Sequence, residues 1–172
     1  DIIDPIDGTL FRKIGELIDQ KTIDNICSGG IYDHIGGGIS RYTVDEKWLV
    51  PHFEKMLYDN AQFIKTLSIL WQITKKDAYK LKVYEVYNWL IKEMKDQGGA
   101  FYSSYDADSE GIEGKFYVWS YQEIKNILGD KFDFFNKFFD LKKEGNWEHT
   151  NILSRYNQLH VSSKDSKEID KL

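Results

Sequence analysis

The apolar side chains fall into long stretches with helical spacing, separated by short glycine-rich segments. Between 9 and 28 they recur every three or four residues, which predicts an amphipathic helix. The same spacing predicts helices at about 53–75 and at 77–96, joined by only a few residues. Two long helices with so short a connection are antiparallel neighbours, so the sequence predicts an α/α-hairpin.

Shorter alternating stretches predict β-strands beside these helices. They are 39–43 and 48–50, which form a hairpin, and then 100–105 and 115–119 on either side of an acidic loop. Ser120 followed by Glu123 is a capping box that predicts a helix at 121–128, and a further short helix is predicted at 130–139. The mainly helical part is expected to end by 160, and the charged stretch 161–172 is expected to be a disordered tail.

Composition excludes several classes of protein. A hydrophobic content of 41% and an aromatic content of 15% indicate a globular domain, while a net charge of −5 argues against nucleic-acid binding. The single cysteine, Cys27, leaves no disulfide, and no histidine spacing suits a metal, so neither a metal nor a cofactor is expected. No apolar run reaches the length of a membrane span and no signal peptide is visible, so we expect a cytoplasmic protein without a membrane partner.

The glycine-rich segment between the first two helices needs an explanation. Gly29 and Gly30 end a helical pattern, and the triplet 36–38 follows within ten residues. Adjacent glycines cost conformational entropy, so the triplet indicates either a tight turn or the close approach of a ligand or a second backbone. It is not a phosphate-binding loop, because Ile39 and Ser40 follow where that motif has Lys and Ser/Thr.

Histidines and carboxylates are the candidate catalytic groups. His34 and His52 lie in segments rich in glycine or next to proline and could act as an acid/base pair. The loop 106–113 has three interpretations: a calcium loop of EF-hand type, a carboxylate pair for proton transfer or glycosyl chemistry, or a solvated acidic turn. Tyr117 argues against the calcium loop, because it occupies the twelfth position of the loop, where an EF-hand has a glutamate ligand.

Two long motifs then carry a resemblance to a known family: GGIYDHIGGGISRYTVDEKWLVPHFEKMLYDNA at 29–61 and YDADSEGIEGKFYVW at 105–119. In this order they closely resemble the thioredoxin-domain-containing proteins related to spermatogenesis-associated protein 20, over roughly residues 20–155. The resemblance implies a partial α/α-hairpin toroid of the six-hairpin-glycosidase-like kind, mainly α, with short β-hairpins in its loops. Such toroids are similar to those of cellulase-type hydrolases and of N-acylglucosamine 2-epimerase.

The resemblance has limits that matter for function. We expect no thioredoxin-like domain within these residues, so the family's redox chemistry is not implied here. Where the family commonly has Phe and His after the glycine triplet, this chain has Ile39 and Ser40. A complete toroid needs about 350 residues or more at ordinary helix and loop lengths. We therefore expect 1–160 to be part of a toroid domain, with self-association or further segments of a longer chain covering its open edges.

Two hypotheses of function follow. The first is a carbohydrate-active segment that resembles a glycoside hydrolase or sugar 2-epimerase, in which Asp106, Asp108, His34 and His52 are catalytic and the sugar contacts are Arg41, Trp48, Glu54, Tyr58, Asp59 and Trp119. Aromatic side chains support it, because flat amphipathic rings suit sugar faces. The second is a non-catalytic structural or protein-interaction domain, in which Arg41, Asp45, Glu54 and Lys55 form a buried polar network.

Overall fold

A computed structural model of the protein describes residues 20–155. The helical elements are α1 (Gln20–Ser28), α2 (Leu57–Thr74), α3 (Asp77–Trp89), α4 (Tyr121–Leu128) and α5 (Phe132–Phe135). The strands are β1 (Tyr42–Thr43), β2 (Pro51–His52), β3 (Lys55–Met56), β4 (Ser104–Tyr105), β5 (Asp108–Ser109), β6 (Ile112–Glu113), β7 (Val118–Trp119) and β8 (Asn151–Ile152). The mainly helical class with short antiparallel strand pairs is thus confirmed, without a barrel in this part of the chain.

The helices α2 and α3 form the predicted α/α-hairpin. Lys75 ends α2 in the left-handed conformation, with φ 57°, and its N–H donates to the Trp71 carbonyl. The prediction that the first of these helices begins near Phe53 was wrong. It begins at Leu57, because Lys55 and Met56 are extended and pair with Tyr105 and Ser104 of β4.

The helix α3 continues directly into a π-helical turn at Leu90–Met94. A π turn holds one more residue than the α-helical turn that it replaces, so it shifts the direction of the side chains that follow. Trp89, Lys92 and Glu93, at this junction, all line the same cavity. The π turn therefore sets which side chains the end of this helix presents to that cavity.

The predicted hairpin at 39–50 forms with a different return strand. Tyr42 and Thr43 pair with His52 and Pro51, not with 48–50. The Asp45 carboxylate accepts the N–H groups of residues 47, 49 and 50, which holds that stretch in a turn instead. Proline is tolerated at the first position of such a strand, where its missing N–H costs no ladder bond.

The strands on either side of the acidic loop pair with distant segments of the chain. The predicted strands 100–105 and 115–119 do not pair with each other in the described chain: β4 pairs with β3, and β7 pairs with β8. The acidic loop between them contains its own small hairpin, β5–β6, with Asp108 opposite Glu113. These pairings tie the end of the α2–α3 hairpin to the segments on either side of it.

The C-terminal helices test the capping prediction. The Ser120 hydroxyl accepts the N–H of Glu123, and the Glu123 carboxylate accepts the N–H of Ser120, so the helix at 121–128 is confirmed with its capping box. The predicted helix at 130–139 was too long: a 3₁₀ turn at Gly129–Lys131 leads into α5, which ends at Phe135. Residues 140–155 are irregular apart from β8, as expected.

Three apolar clusters hold these elements together. The largest joins α1, α2 and α3 around Leu67, Tyr79 and Val86. A second joins α4 and α5 with Leu141 and Leu153. The third is small and centres on Phe53, Ala107 and Ile152, between the strand pairs. Residues 9–19 of the helix predicted at 9–28, and the charged tail, lie outside the described residues.

Candidate functional site

A cavity of about 670 Å³ lies where the strand pairs meet the end of α3 and its π turn. Its wall combines the loop 33–36, β3, β4 and the segments 106–109 and 116–119. The residues with polar or aromatic side chains that line it are Tyr32, Asp33, His34, Ser40, Lys55, Trp89, Lys92, Glu93, Tyr105, Asp106, Asp108, Ser109, Phe116, Tyr117 and Trp119. Both the volume and this mixture are typical of small-molecule sites.

Aromatic rings make up much of this wall. The rings of Trp89 and Tyr105 meet edge to face, with centroids 6.1 Å apart, and the Tyr105 hydroxyl donates to the Glu93 carbonyl. The ring of Tyr117 stacks on buried Phe53 at 5.7 Å, which fixes its orientation. Phe116 is 73% exposed and stands beside the cavity, at an edge of its wall. Several rings are thus held in place by packing on elements outside the cavity.

A buried ion pair fixes the glycine-rich wall. Lys55 is 1% exposed, and its Nζ donates to Asp33 Oδ2 and to the Gly37 carbonyl, each at 2.8 Å. The same ammonium lies 5.0 Å from the ring of Trp89 and 4.9 Å from that of Tyr117. Burial lowers the pKa of Lys55, and the neighbouring Asp33 carboxylate opposes this effect.

The other oxygen of Asp33 shapes the loop itself. Asp33 Oδ1 accepts the backbone N–H groups of Ile35 and Gly36 at 3.0 and 2.8 Å, the geometry of an Asx turn. Gly37 and Gly38 follow in the left-handed region, with φ 85° and 83°. A Cβ at Gly37 would lie 2.7 Å from the Glu85 carbonyl oxygen, so the triplet reflects the close approach of a second backbone.

Asp106 and Asp108 both line the cavity and are exposed. Asp106 Oδ1 accepts the N–H of Asp108 at 3.1 Å, so the two residues share one local turn. Glu110 and Gly111 form the tip of the β5–β6 hairpin, with φ 55° and 75°, and Glu110 forms an ion pair with Lys115. This hairpin is not the loop of an EF-hand, and within residues 20–155 no group of three or more His, Cys, Asp or Glu is arranged to hold a metal ion.

His34 lies in the wall of the cavity as a fixed ring. Its Nε2 is 3.0 Å from the Gly29 carbonyl, and Nδ1 is buried without a hydrogen-bond partner among the described residues. Burial lowers the pKa of His34 well below its usual value, with Lys82 and Arg155 acting in the same direction. A carbonyl accepts only, so the neutral ring carries its proton on Nε2. Neither nitrogen is placed to exchange a proton with a ligand.

Apart from Trp119, the remaining predicted site residues lie away from the cavity, and several form a polar cluster on the surface. Arg41 Nη1 is 3.3 Å from Glu54 Oε2, and His52 Nδ1 is 3.0 Å from Glu113 Oε1. The His52 ring stacks on that of Tyr42 at 5.2 Å. His34 and His52 therefore belong to different places in the molecule: His34 lines the cavity, and His52 does not.

Three further predicted contacts also lie outside the cavity lining. Tyr58 is exposed on the first turn of α2 and interacts with Arg41, whose pKa it raises. Asp59 has a buried Oδ2 without a hydrogen-bond partner within 20–155, and partial burial raises its pKa. Trp48 has a left-handed backbone, with φ 60°, and its carbonyl accepts the N–H of Gly30. Trp119 is the one predicted sugar contact that lines the cavity.

Sequence reasoning gave no site role to several residues of the cavity wall. Asp33 and Lys55 are polar positions within the first long motif, and the glycine triplet beside Asp33 was the signal that could have placed them together. Glu93 and Tyr105 had no signal, because the π turn and the β3–β4 pairing bring them there. Ser40, at the position where the resembling family commonly has His, is buried in the cavity wall.

No helix within the described range is both long enough and apolar enough to cross a membrane.

The chain is similar in sequence to parts of longer proteins from several animals. No protein-family model matches it. An uncharacterized protein of Caenorhabditis elegans is 37% identical over 169 residues, which cover 89% of this chain and 22% of that protein. Spermatogenesis-associated protein 20 of Homo sapiens and of Mus musculus are each 37% identical over 113 residues, or 62% of this chain and 14% of theirs. The chain spans about a fifth or less of these relatives, and over that part it is a homologue of spermatogenesis-associated protein 20.

Proposed function

We propose that the cavity of about 670 Å³ binds a sugar, with the carboxylates of Asp106 and Asp108 directed to its hydroxyl groups. The observation that carries this proposal is that both carboxylates line one cavity together with six Phe, Tyr or Trp side chains, those of Tyr32, Trp89, Tyr105, Phe116, Tyr117 and Trp119. Aromatic faces pack on the C–H faces of a sugar, and ionised carboxylates accept hydrogen bonds from its hydroxyls. A wall that offers both suits a ligand that is apolar on its faces and polar at its edges.

Acid/base chemistry on the bound sugar is the catalytic form of the same proposal. In it, Asp106 or Asp108 transfers the proton, because His34 has both nitrogens buried or bonded and His52 lies elsewhere. Glycoside hydrolysis commonly uses two carboxyl groups, whose separation decides between hydrolytic mechanisms, while epimerisation needs a base near the ring, a role that a carboxylate can take. The surface cluster around Arg41 and Glu54 would contact the ligand only if the ligand extends beyond the cavity.

The α/α-toroid is part of the proposal as well. The α2–α3 hairpin supports it, since such hairpins are the repeating unit of a toroid, and the relatives are long enough to supply further units. The chain would then contribute one sector of a larger ring, with the cavity at the loop end of its hairpins. The cytoplasmic location stays a prediction.

The test is binding of neutral, amino and uronic monosaccharides, measured by calorimetry and by the shift in melting temperature. We expect one class to bind to the protein and Asp108→Asn to weaken that binding by about tenfold, because a charged hydrogen bond contributes roughly 1.5–3 kcal/mol. Asp130→Asn is the matched control, since Asp130 is exposed and lies outside the cavity lining. Sugar binding that Asp108→Asn leaves unchanged would refute the proposed site.

A specific observation also favours the second candidate, a structural or interaction domain. The predicted buried network of Arg41, Asp45, Glu54 and Lys55 does not form, but two of these residues hold the backbone in place: Lys55 is buried on Asp33 and Gly37, and Asp45 accepts three backbone N–H groups. Arg41 and Glu54, by contrast, pair at the surface. The structural or interaction role would be supported if no class of sugar binds and if substitutions at Lys55 and Asp45 each lower the free energy of unfolding by several kcal/mol. If the cavity is a sugar site, Asp108→Asn should instead weaken sugar binding without lowering the free energy of unfolding.

A further inference from the structure

A second cavity, of about 520 Å³, lies beside the first and shares part of its wall. The loop 33–36, Trp119 and Leu153 line both cavities. The far side of the second cavity is formed by α4, α5 and the residues that follow, and its apolar lining consists of Ile124, Ile127, Leu128, Phe135 and Phe139. The two cavities are therefore neighbours on either side of one loop and one indole ring.

The charged groups of this second cavity already have partners within the protein. Glu85 Oε2 accepts the Tyr32 hydroxyl at 2.6 Å and Lys82 Nζ at 2.7 Å. The Arg155 guanidinium stacks on the Phe139 ring at 5.1 Å. The charged groups of the second cavity are thus engaged within the protein, and its wall on α4 and α5 is apolar, whereas the carboxylates of Asp106 and Asp108 line the first cavity.

The shared wall does not present an uncompensated charge either. Both Asp33 oxygens are engaged, one by two backbone N–H groups and the other by Lys55. Beside it stand the side chains of Leu153 and Trp119. An apolar part of a ligand can lie across this wall without removing water from an unpaired ion, which would cost free energy.

We propose that the ligand is amphipathic, with a sugar head group in the first cavity and an apolar aglycone, an alkyl or aryl group, in the second. This inference rests on the proposed sugar site and specifies its substrate class. One ligand is favoured as the occupant because the two cavities share a wall, and each is of small-molecule size. Trp119 lines both cavities, so its flat ring can contact both the sugar face and the first carbons of the aglycone.

The test compares methyl, hexyl and octyl glycosides of glucose, N-acetylglucosamine and glucuronic acid, below their micelle concentrations, by calorimetry. Each methylene that enters the second cavity strengthens binding by roughly three- to fourfold. We expect the octyl glycoside of the preferred sugar to bind roughly tenfold or more tightly than its methyl glycoside. Ile127→Asn should remove much of that gain and leave the methyl glycoside unaffected, since Ile127 is 65% exposed and lines only the second cavity.

Ile73→Asn is the matched control, because Ile73 is also an exposed helical isoleucine but lines neither cavity. Equal binding of methyl and octyl glycosides would overturn this inference and leave the sugar site standing. So would a chain-length gain that persists in Ile127→Asn, or octanol binding as tightly as the octyl glycoside. Failure of every methyl glycoside to bind would instead overturn the proposed function on which the inference rests.

Discussion

Lys55 Nζ lies 2.8 Å from Asp33 Oδ2, and the pair joins β3 to the glycine-rich loop that separates the two cavities. The lysine is almost fully buried, and Asp33 has 16% of its side chain exposed. Taking an ammonium out of water is costly, and here a carboxylate, a carbonyl and two aromatic faces compensate for it. The pair positions the loop without itself being placed to react with a ligand.

We expect Lys55→Met to destabilise the protein by about 3 kcal/mol or more, because it leaves Asp33 charged, largely buried and without its partner. Urea denaturation measures the change. Lys142→Met is the control: Lys142 pairs with Asp140 at the exposed surface, where an ion pair contributes about 1 kcal/mol or less. Equal losses of stability for the two substitutions would show that the buried pair stabilises the fold no more than the surface pair does. The double variant Asp33→Asn, Lys55→Met should recover part of the stability that Lys55→Met loses, because it removes both charges.

Gly37→Ala should be strongly destabilising, since a Cβ there would meet the Glu85 carbonyl oxygen at 2.7 Å. Gly111→Ala separates this collision from the cost of a left-handed backbone alone. Gly111 has φ 75° and open space around it, so its substitution should cost about 1–2 kcal/mol. Comparable melting temperatures for the two variants would contradict the close approach of the loop to α3.

The Asn60 side chain bonds both backbone groups of Ile39, as a neighbouring β-strand would. It is fully buried, its Oδ1 accepts the Ile39 N–H at 2.7 Å, and its Nδ2 donates to the Ile39 carbonyl at 3.0 Å. Asn60→Ala leaves both backbone groups without partners and should cost about 2–4 kcal/mol. Asn126→Ala, on the exposed face of α4, is the control and should change the free energy of unfolding by less than about 0.5 kcal/mol.

Acidification should weaken the fold through His34. Burial holds its pKa below the ordinary value of about 6.5, so below that pH the unfolded chain binds a proton that the folded chain does not. The free energy of unfolding therefore falls as the pH drops through about 6.5. His34→Gln should lose less stability between pH 8 and pH 5 than the unsubstituted protein. Parallel pH profiles for His34→Gln and the unsubstituted protein would refute this account.

Local signals in the sequence predicted local structure well. The capping box of Ser120 and Glu123 located α4 because both partners lie within one helical turn. The return strand after Thr43 was misplaced because Asp45 binds the N–H groups of residues 47, 49 and 50 and holds them in a turn. Alternation of apolar and polar residues does not distinguish such a turn from a strand.

The candidate site was predictable only in part, for a related reason. Asp106, Asp108, His34 and Trp119 were predicted as site residues, and the structure places them around one cavity. Their neighbours come from pairings between distant segments, β3 with β4 and β7 with β8, whose register no short motif encodes. The separation of His52 from His34 has the same origin, since β1 and β2 direct His52 to Glu113.

The π turn at Leu90–Met94 has a consequence for how the relatives can diverge. A wide turn of this kind contains one residue more than the helix needs, so a homologue that lacks one residue here can keep an unbroken α-helix. Because the wide turn absorbs the extra residue, the positions after the gap would keep their directions, and only the side chains within the turn, such as Glu93, would be rearranged at the cavity wall. A one-residue gap at this point of an alignment would therefore mark a different cavity wall at the turn in homologues that keep the rest of the helix pair unchanged.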